Sequence, residues 1–329
     1  MSPFEGTEDK FKGDGAPAIT KIIRKPKGIG HELKATADGE TKIVIFLELQ
    51  EGKEPMRLKS YFDEFGSSTA ITLRLVQNWF YSNRIVIGDS AFASLKTLKA
   101  LHNVGGLFFM GMVKTAHTGY PLQYLKEWDE TIDKKANRGA HKILQTTISN
   151  NTNDNHNVYA LGWADKKLKT IISNVGTTLP ATPIQRMRSK NVNGITEHFL
   201  KEIQCPMMIN QFFSCFSAID IHDHFRQGTL ALHEHWKTMK WWHRVFSTIL
   251  GIIVTDSYLL YKYEYKEFYN GDTTNLVEFV DYINQLAIQI IHNEFDAPPA
   301  GGIRRPLQDM TNNNENQVRF NDFINFFTF

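Results

Sequence analysis

The chain has only two cysteines, Cys205 and Cys215, among its 329 residues. That is too few for a disulfide framework, and the two lack the paired spacing of a zinc site. It also carries little net charge, +2, so any affinity for nucleic acid has to come from local basic patches. The opening stretch MSPFEGTEDKFKGDG lacks a basic segment followed by an apolar one, so no signal peptide is expected there. Uninterrupted apolar runs of membrane-spanning length are lacking as well. The best candidate, residues 245–261, is broken by Ser247, Thr248, Asp256 and Ser257. The expected setting is therefore intracellular and reducing, without a membrane. What is present is 42% hydrophobic and 12% aromatic residues, enough to bury a large core in one or two domains.

Residues 1–17 are polar, glycine-rich and without periodicity, and they are expected to be flexible. Beyond them, AITKIIRKPKGIGHELKATADGETKIVIFLELQEG reads as extended segments around the turn Ala37-Asp38-Gly39-Glu40. STAITLRLVQNWF has helical spacing and leads into the strand RIVIGDSAF, then a helix SLKTLKALHNVG and a strand GLFFMGMVKT. The order β, β, α, β, α, β over 18–114 implies an α/β sheet whose chemistry gathers at the carboxyl ends of strands. Residues 115–204 are turn-rich with short strands, including a pair around Trp163-Ala164-Asp165-Lys166, and read as an inserted, mainly β subdomain. Residues 205–296 are helical, and 297–329 form a Pro-, Gly- and Asn-rich tail expected to be disordered.

Three carboxylates stand out. Asp89 ends an apolar strand, and Asp220 and Asp223 in FSAIDIHDHF share one helical face, where two oxygens can converge on a hard cation such as Mg²⁺. Caps and solvated surface charges use the same positions, and the residues alone leave both readings open. His222, His224, His233, His235 and His243 crowd one helical region, but i, i+2 spacings do not face each other, so packing is the simpler account. Basic and aromatic residues interleave in KIIRKPKG and HWKTMKWWHR, with a third basic run in WADKKLK. Such cations pair with phosphates and indoles stack on bases, although Trp236, Trp241 and Trp242 suit helix packing and Lys166, Lys167 and Lys169 a solvated turn equally well.

Taken in order, RKPKGIGHELKATADGETKIVIFLELQEGKEPM, IVIGDSAFASLKTLKAL, GLFFMGMVKTAHTGYP, VYALGWADKKLKTIIS, FSAIDIHDHFRQG and WKTMKWWHRVFSTILG resemble the transposase domain of PiggyBac-type transposons and their domesticated relatives. The resemblance covers about residues 19 to 265. It implies an α/β, ribonuclease-H-like (DDE/D transposase) mixed sheet flanked by helices, with a mainly β insertion. It further implies three aspartates holding two Mg²⁺ or Mn²⁺ ions that activate a nucleophile and stabilise the leaving oxygen in DNA cleavage and strand transfer.

In that family the second aspartate lies in a motif like DNFFTS, matched by Asp89 to Ser94, and the third in a motif like GGVDxLD, matched by Ser217 to Asp223. Asp89 and Asp220 are thus the implied metal ligands, with Asp223 as an auxiliary acid. The first family aspartate precedes a segment like SMSPFEG, and this chain begins Met1-Ser2-Pro3-Phe4-Glu5-Gly6. Asp9 and Asp14 follow no apolar strand and are poor substitutes, so impaired catalysis is expected. With no cysteine after Cys215, no zinc is expected either. The implied partner is double-stranded DNA, contacted by Arg24, Lys25, Lys27, Lys240, Trp241 and Arg244, in a nuclear setting that admits a homodimer. The alternatives are a domesticated, non-catalytic DNA-binding or chromatin-associated protein, or a chain that does not fold stably for want of an opening strand.

Overall fold

The computed structural model describes residues 2–4, 17–23, 28–115, 117–133, 137–149, 155–192, 194–236, 238, 240–292 and 323–328. Three short strands, β1 (Ser2–Pro3), β2 (Ile19–Lys21) and β3 (Ile29–His31), form a small sheet in the order β1-β3-β2. The hairpin β4 (Leu33–Asp38) and β5 (Val44–Leu49) is turned by Asp38, whose Oδ2 accepts the N–H groups of Glu40 at 3.0 Å and Thr41 at 2.7 Å. Helices α1 (Lys53–Arg57) and α2 (Phe62–Val76), the latter broken at Gly66, lead into β6 (Ile85–Gly88), α3 (Leu95–Gly105) and β7 (Phe108–Met112). Apart from α1 and the two short strands β2 and β3, this is the order expected from the sequence.

Next come α4 (Leu122–Glu130), the strands β8 (His141–Ser149), β9 (Asn155–Ala164) and β10 (Leu168–Ser173), and the hairpin β11 (Ile184–Val192) with β12 (Ile195–Ile203). The helical part holds α5 (Met207–Phe216), α6 (Ala218–Asp223), a π-helical turn over His224–Leu230, α7 (Leu232–His235), α8 (Trp241–Phe268) and α9 (Phe279–His292). A last strand, β13, spans Phe323–Thr328.

The main sheet has the order β5-β4-β13-β6-β7-β10-β9-β8. β13, β6 and β7 run parallel, and every other pairing is antiparallel. Residues 85–88 read Ile-Val-Ile-Gly because β6 is buried throughout, as a central parallel strand must be. Alternation then sorts its side chains. Val86 joins Phe109 in a core with Leu73 and Val76 of α2 and Leu98 and Leu101 of α3. Ile85 and Ile87 join Met110 and Met112 in a second core with Met208, Ile209 and Phe212 of α5. Over β4, Leu33, Ala35 and Ala37 pack with Ala218 and Ile219 of α6 and Ile252 of α8. The sheet is thus covered by α2 and α3 on one face and by α5, α6 and α8 on the other.

Local chemistry fixes the elements around β6. Ser94 caps α3 by accepting the N–H of Thr97 at 3.0 Å, and Gly106, at φ 58°, ends it in the left-handed conformation that glycine adopts without steric cost. At Gly111 on β7, a Cβ would meet Ala93 and the Phe109 ring at 2.7 Å, so only glycine lets that loop lie this close to the strand. Helix α8 satisfies the length and composition of a membrane span. One stripe of it, Gly251, Ile252, Thr255, Tyr258 and Leu259, is nonetheless buried on the protein.

Three expectations are modified. Ser2 and Pro3 of the supposedly flexible start pair with His31 and Gly30, and Phe4 is buried and stacks on His31 with centroids 5.5 Å apart. An apolar side chain in a polar run supplied the anchor, and residues 5–16 lie outside the described set. The mainly β stretch divides: β8, β9 and β10 continue the main sheet through the β10–β7 pairing, while β11 and β12 form a separate two-stranded sheet. Within the tail, Phe-Ile-Asn-Phe-Phe-Thr forms β13, because its aromatic and β-branched residues favour strand over the coil suggested by the Pro- and Gly-rich residues before it. Residues 293–322 are not described.

Candidate functional site

Asp89 directly follows β6. Its Oδ1 accepts the N–H of Ala91 at 2.8 Å, and its main-chain oxygen accepts those of Phe92 at 3.1 Å and Ala93 at 3.0 Å. This aspartate turn reverses the chain into the Ser94 cap of α3 and leaves the carboxylate half-buried. Ile85 and Ile87 face the α5 side, and Asp89 lies one residue beyond the strand end, in the turn. Lys34 of β4 reaches this turn, with Nζ 5.6 Å from the centre of the Phe92 ring while bonded to Glu32 at 2.8 Å.

Asp220 and Asp223 sit on α6, which packs over β4 and β13. Their environments differ. Asp220, in the first turn, is exposed. Asp223 is half-buried, and its Oδ1 accepts Nε of Arg226 at 3.1 Å and Nη2 at 2.6 Å. The Arg226 guanidinium lies in the π-helical turn and is 1% exposed, so Asp223 neutralises a buried cation. Between the two, His222 is fully buried with Nε2 3.2 Å from Asp256 Oδ1 of α8, and that same oxygen accepts the N–H of Val44 at 2.8 Å. One carboxylate therefore ties α6, α8 and β5 together.

The strand lying between Asp89 and the α6 platform is β13, with Asn325 beside Ile87 and Phe326 beside Gly88. The sequence of β13 contains no carboxylate. Among the described residues, no group of three His, Cys, Asp or Glu is arranged to hold a metal ion. Asp89 and Asp220 supply hard oxygen donors of the kind Mg²⁺ or Mn²⁺ takes. Asp223 is committed to Arg226, and burial pushes the thiols of Cys205 and Cys215 upward, away from the thiolate a soft metal needs.

Of the proposed DNA contacts, Arg24, Lys25 and Lys27 lie outside the described residues. Lys240 is exposed, with Nζ 5.8 Å from the Trp242 ring centre, and Trp242 is exposed beside it. Trp241 is half-buried and makes an edge contact with His31 at 5.7 Å. Arg244 donates to the carbonyls of Thr238, at 3.1 Å, and His233, closing the turn between α7 and α8. Lys166 and Lys167 project from the β9–β10 turn into solvent. His243 stacks on Trp236 and His233 is buried, both in packing environments. Arg226, Asp256 and Lys34 were missed from sequence, because nothing in their spacing marks a partner that only the fold brings near.

Comparison with known proteins bears on this arrangement. The family model described as transposase IS4 matches residues 13–258. Among solved structures, the chain is similar to the piggyBac transposase in its synaptic complex with hairpin DNA, at 16% identity and a TM-score of 0.59. The match takes in 96% of this chain and 56% of that one, so the chain spans little more than half the length of that protein. At this identity the likeness shows the fold, a ribonuclease-H-like mixed sheet flanked by helices. No match was found among curated protein sequences.

Proposed function

The chain belongs to the transposase IS4 family, and on that premise we propose that it is a piggyBac-type, transposase-derived protein that binds double-stranded DNA and is catalytically impaired. One observation carries the reading. Asp89 follows the end of buried β6, Asp220 lies on α6 over β4 and β13, and the strand that lies between β4 and β6 brings no carboxylate. Two aspartates suffice for one divalent ion. A two-ion phosphoryl transfer needs more anionic charge to hold both ions in line.

When bound, an Mg²⁺ or Mn²⁺ ion supplies charge neutralisation at a phosphate oxygen. The chain's own contribution is placement: Asp89 is held by a strand end and a tight turn, and Asp220 by a helix anchored through His222. Lys240 and Trp242, exposed together at the start of α8, offer a phosphate a cation and a base a stacking face. Transposon-end duplexes as targets, a nuclear location and pairing with a second copy belong to the same reading and rest on family membership.

The experiment is duplex binding and nicking by the full chain, with Mg²⁺ or Mn²⁺ titrated, alongside Asp89→Ala, Asp220→Ala and Lys240→Ala/Trp242→Ala. Salt-dependent duplex binding weakened by the Lys240/Trp242 change, weak metal binding lost in either aspartate variant, and no nicking are expected. Nicking that both aspartate variants abolish would overturn the impairment. A chain that ignores duplex DNA at low salt would overturn the DNA reading.

A further inference from the structure

The last strand in sequence is a middle strand in space. β13 pairs antiparallel with β4, from Ile324 opposite Asp38 to Thr328 opposite Lys34, and parallel with β6, from Phe323 beside Ile85 to Phe326 beside Gly88. Among the described residues no other strand joins β4 to β6 in the sheet order, so without β13 the sheet divides into β5-β4 and β6-β7-β10-β9-β8.

The two flanking edges are not built to face water. All of Ile85–Gly88 is buried, and so are Leu33, Ala35, Thr36 and Ala37. Buried N–H and C=O groups on such edges need partners, and a free pair of edges invites any extended segment of suitable pattern. Helices α5 and α6 also lie across β13, so the slot has a roof as well as two sides. Pairing along both edges is what holds β13 in the slot.

We propose that the gap between β4 and β6 is a strand-acceptor slot, closed by the chain's own residues 323–328, which binds this sequence equally when it arrives as a separate peptide. The fitting ligand is an extended, aromatic-rich segment running parallel to β6 and antiparallel to β4. The slot is independent of DNA binding, since it follows from backbone pairing alone. Its occupant also lies one residue from Asp89, so what fills the slot borders the candidate metal site.

The test begins on the full chain with Ala37→Cys/Asn325→Cys, positions that are register partners and so within disulfide reach. Mild oxidation is expected to form an intrachain 37–325 bond, and an out-of-register control, Ala37→Cys/Thr328→Cys, is expected to react at least tenfold more slowly. Equal rates in pair and control, or an interchain bond, would overturn closure by the chain's own strand. In a second measurement, Asn325→Pro/Phe327→Pro, which removes two strand N–H donors, is followed by amide hydrogen exchange. Protection at Leu33–Asp38 and Ile85–Gly88 is expected to fall while the remote β8–β9 pair keeps its own, and an added peptide of residues 319–329 is expected to restore it. Unchanged exchange at both edges, or no restoration by the peptide, would overturn the acceptor slot.

Discussion

Replacing Asp223 with alanine removes the carboxylate that receives two bonds from Arg226, at 3.1 and 2.6 Å. The guanidinium is 1% exposed and cannot turn to water, whereas the Asp223 side chain is 20% exposed. Breaking a buried ion pair from one side costs about 3–5 kcal/mol, because the remaining charge stays desolvated. Partial access of water at the Asp223 end lowers the expectation to about 2–4 kcal/mol. A carboxylate serving only as an auxiliary acid or metal ligand at the surface would change stability by no more than about 0.5 kcal/mol. The assay is urea denaturation of the wild type, Asp223→Ala and Asp223→Ala/Arg226→Met, with unchanged slopes required for comparison. The single variant should unfold at clearly lower urea. The double variant should recover part of the loss, since it no longer buries an unpaired cation. A single variant as stable as wild type would refute the reasoning, as would a double variant less stable than the single.

Two further outcomes follow from local geometry. Ser94→Ala removes the cap that accepts the Thr97 N–H and should cost about 1 kcal/mol, read as a lower unfolding midpoint, with Ser94→Asp restoring most of it; an unchanged midpoint would show that the cap is idle. At His31, burial holds the imidazole below its ordinary value, so as pH falls below about 6.5 the unfolded chain takes up a proton before the folded one and stability drops. His31→Phe should flatten that part of the melting-temperature profile between pH 7 and 5, and a slope identical to wild type would remove His31 as its source.

The legible part of the sequence was the part governed by short-range pattern. Ile85-Val86-Ile87 announced a buried strand, SLKTLKALHNVG a helix closing on glycine, and Ala37-Asp38-Gly39-Glu40 a turn between extended segments. Asp89 was legible as a strand-end carboxylate for the same reason. The spacing of Asp220 and Asp223 correctly suggested one helix, but not that its members divide their work, with one exposed and one bound to Arg226. That division depends on a π-helical turn and on Gly251 of α8, where a Cβ would meet Arg226 Cγ at 3.2 Å; neither is visible in a window of ten residues. The alternation of basic and aromatic residues around Arg244 did not announce that it donates to backbone carbonyls between α7 and α8. β13 was illegible for a different reason. Its pairing partners are more than two hundred residues away, and a six-residue aromatic-rich segment after a coil-forming stretch carries no address.

The position of Asp220 is set by protein groups and not by a metal. Helix α6 is held from below by Ala218 and Ile219 against β4, from the side by His222 on Asp256, and at its end by Asp223 on Arg226. Asp89 is held likewise by its own turn. None of these contacts requires a cation, and the expectation is that the fold does not depend on a bound metal, unlike small domains that fold only around a structural metal. Adding EDTA to the purified chain should therefore leave the melting temperature within about 1 °C, because a ligand stabilises only in proportion to its occupancy and affinity. A fall of several degrees, reversed by Mg²⁺ or Mn²⁺ and absent in Asp89→Ala, would show that a tightly bound ion is part of the folded state and that two aspartates hold it better than their charge alone allows.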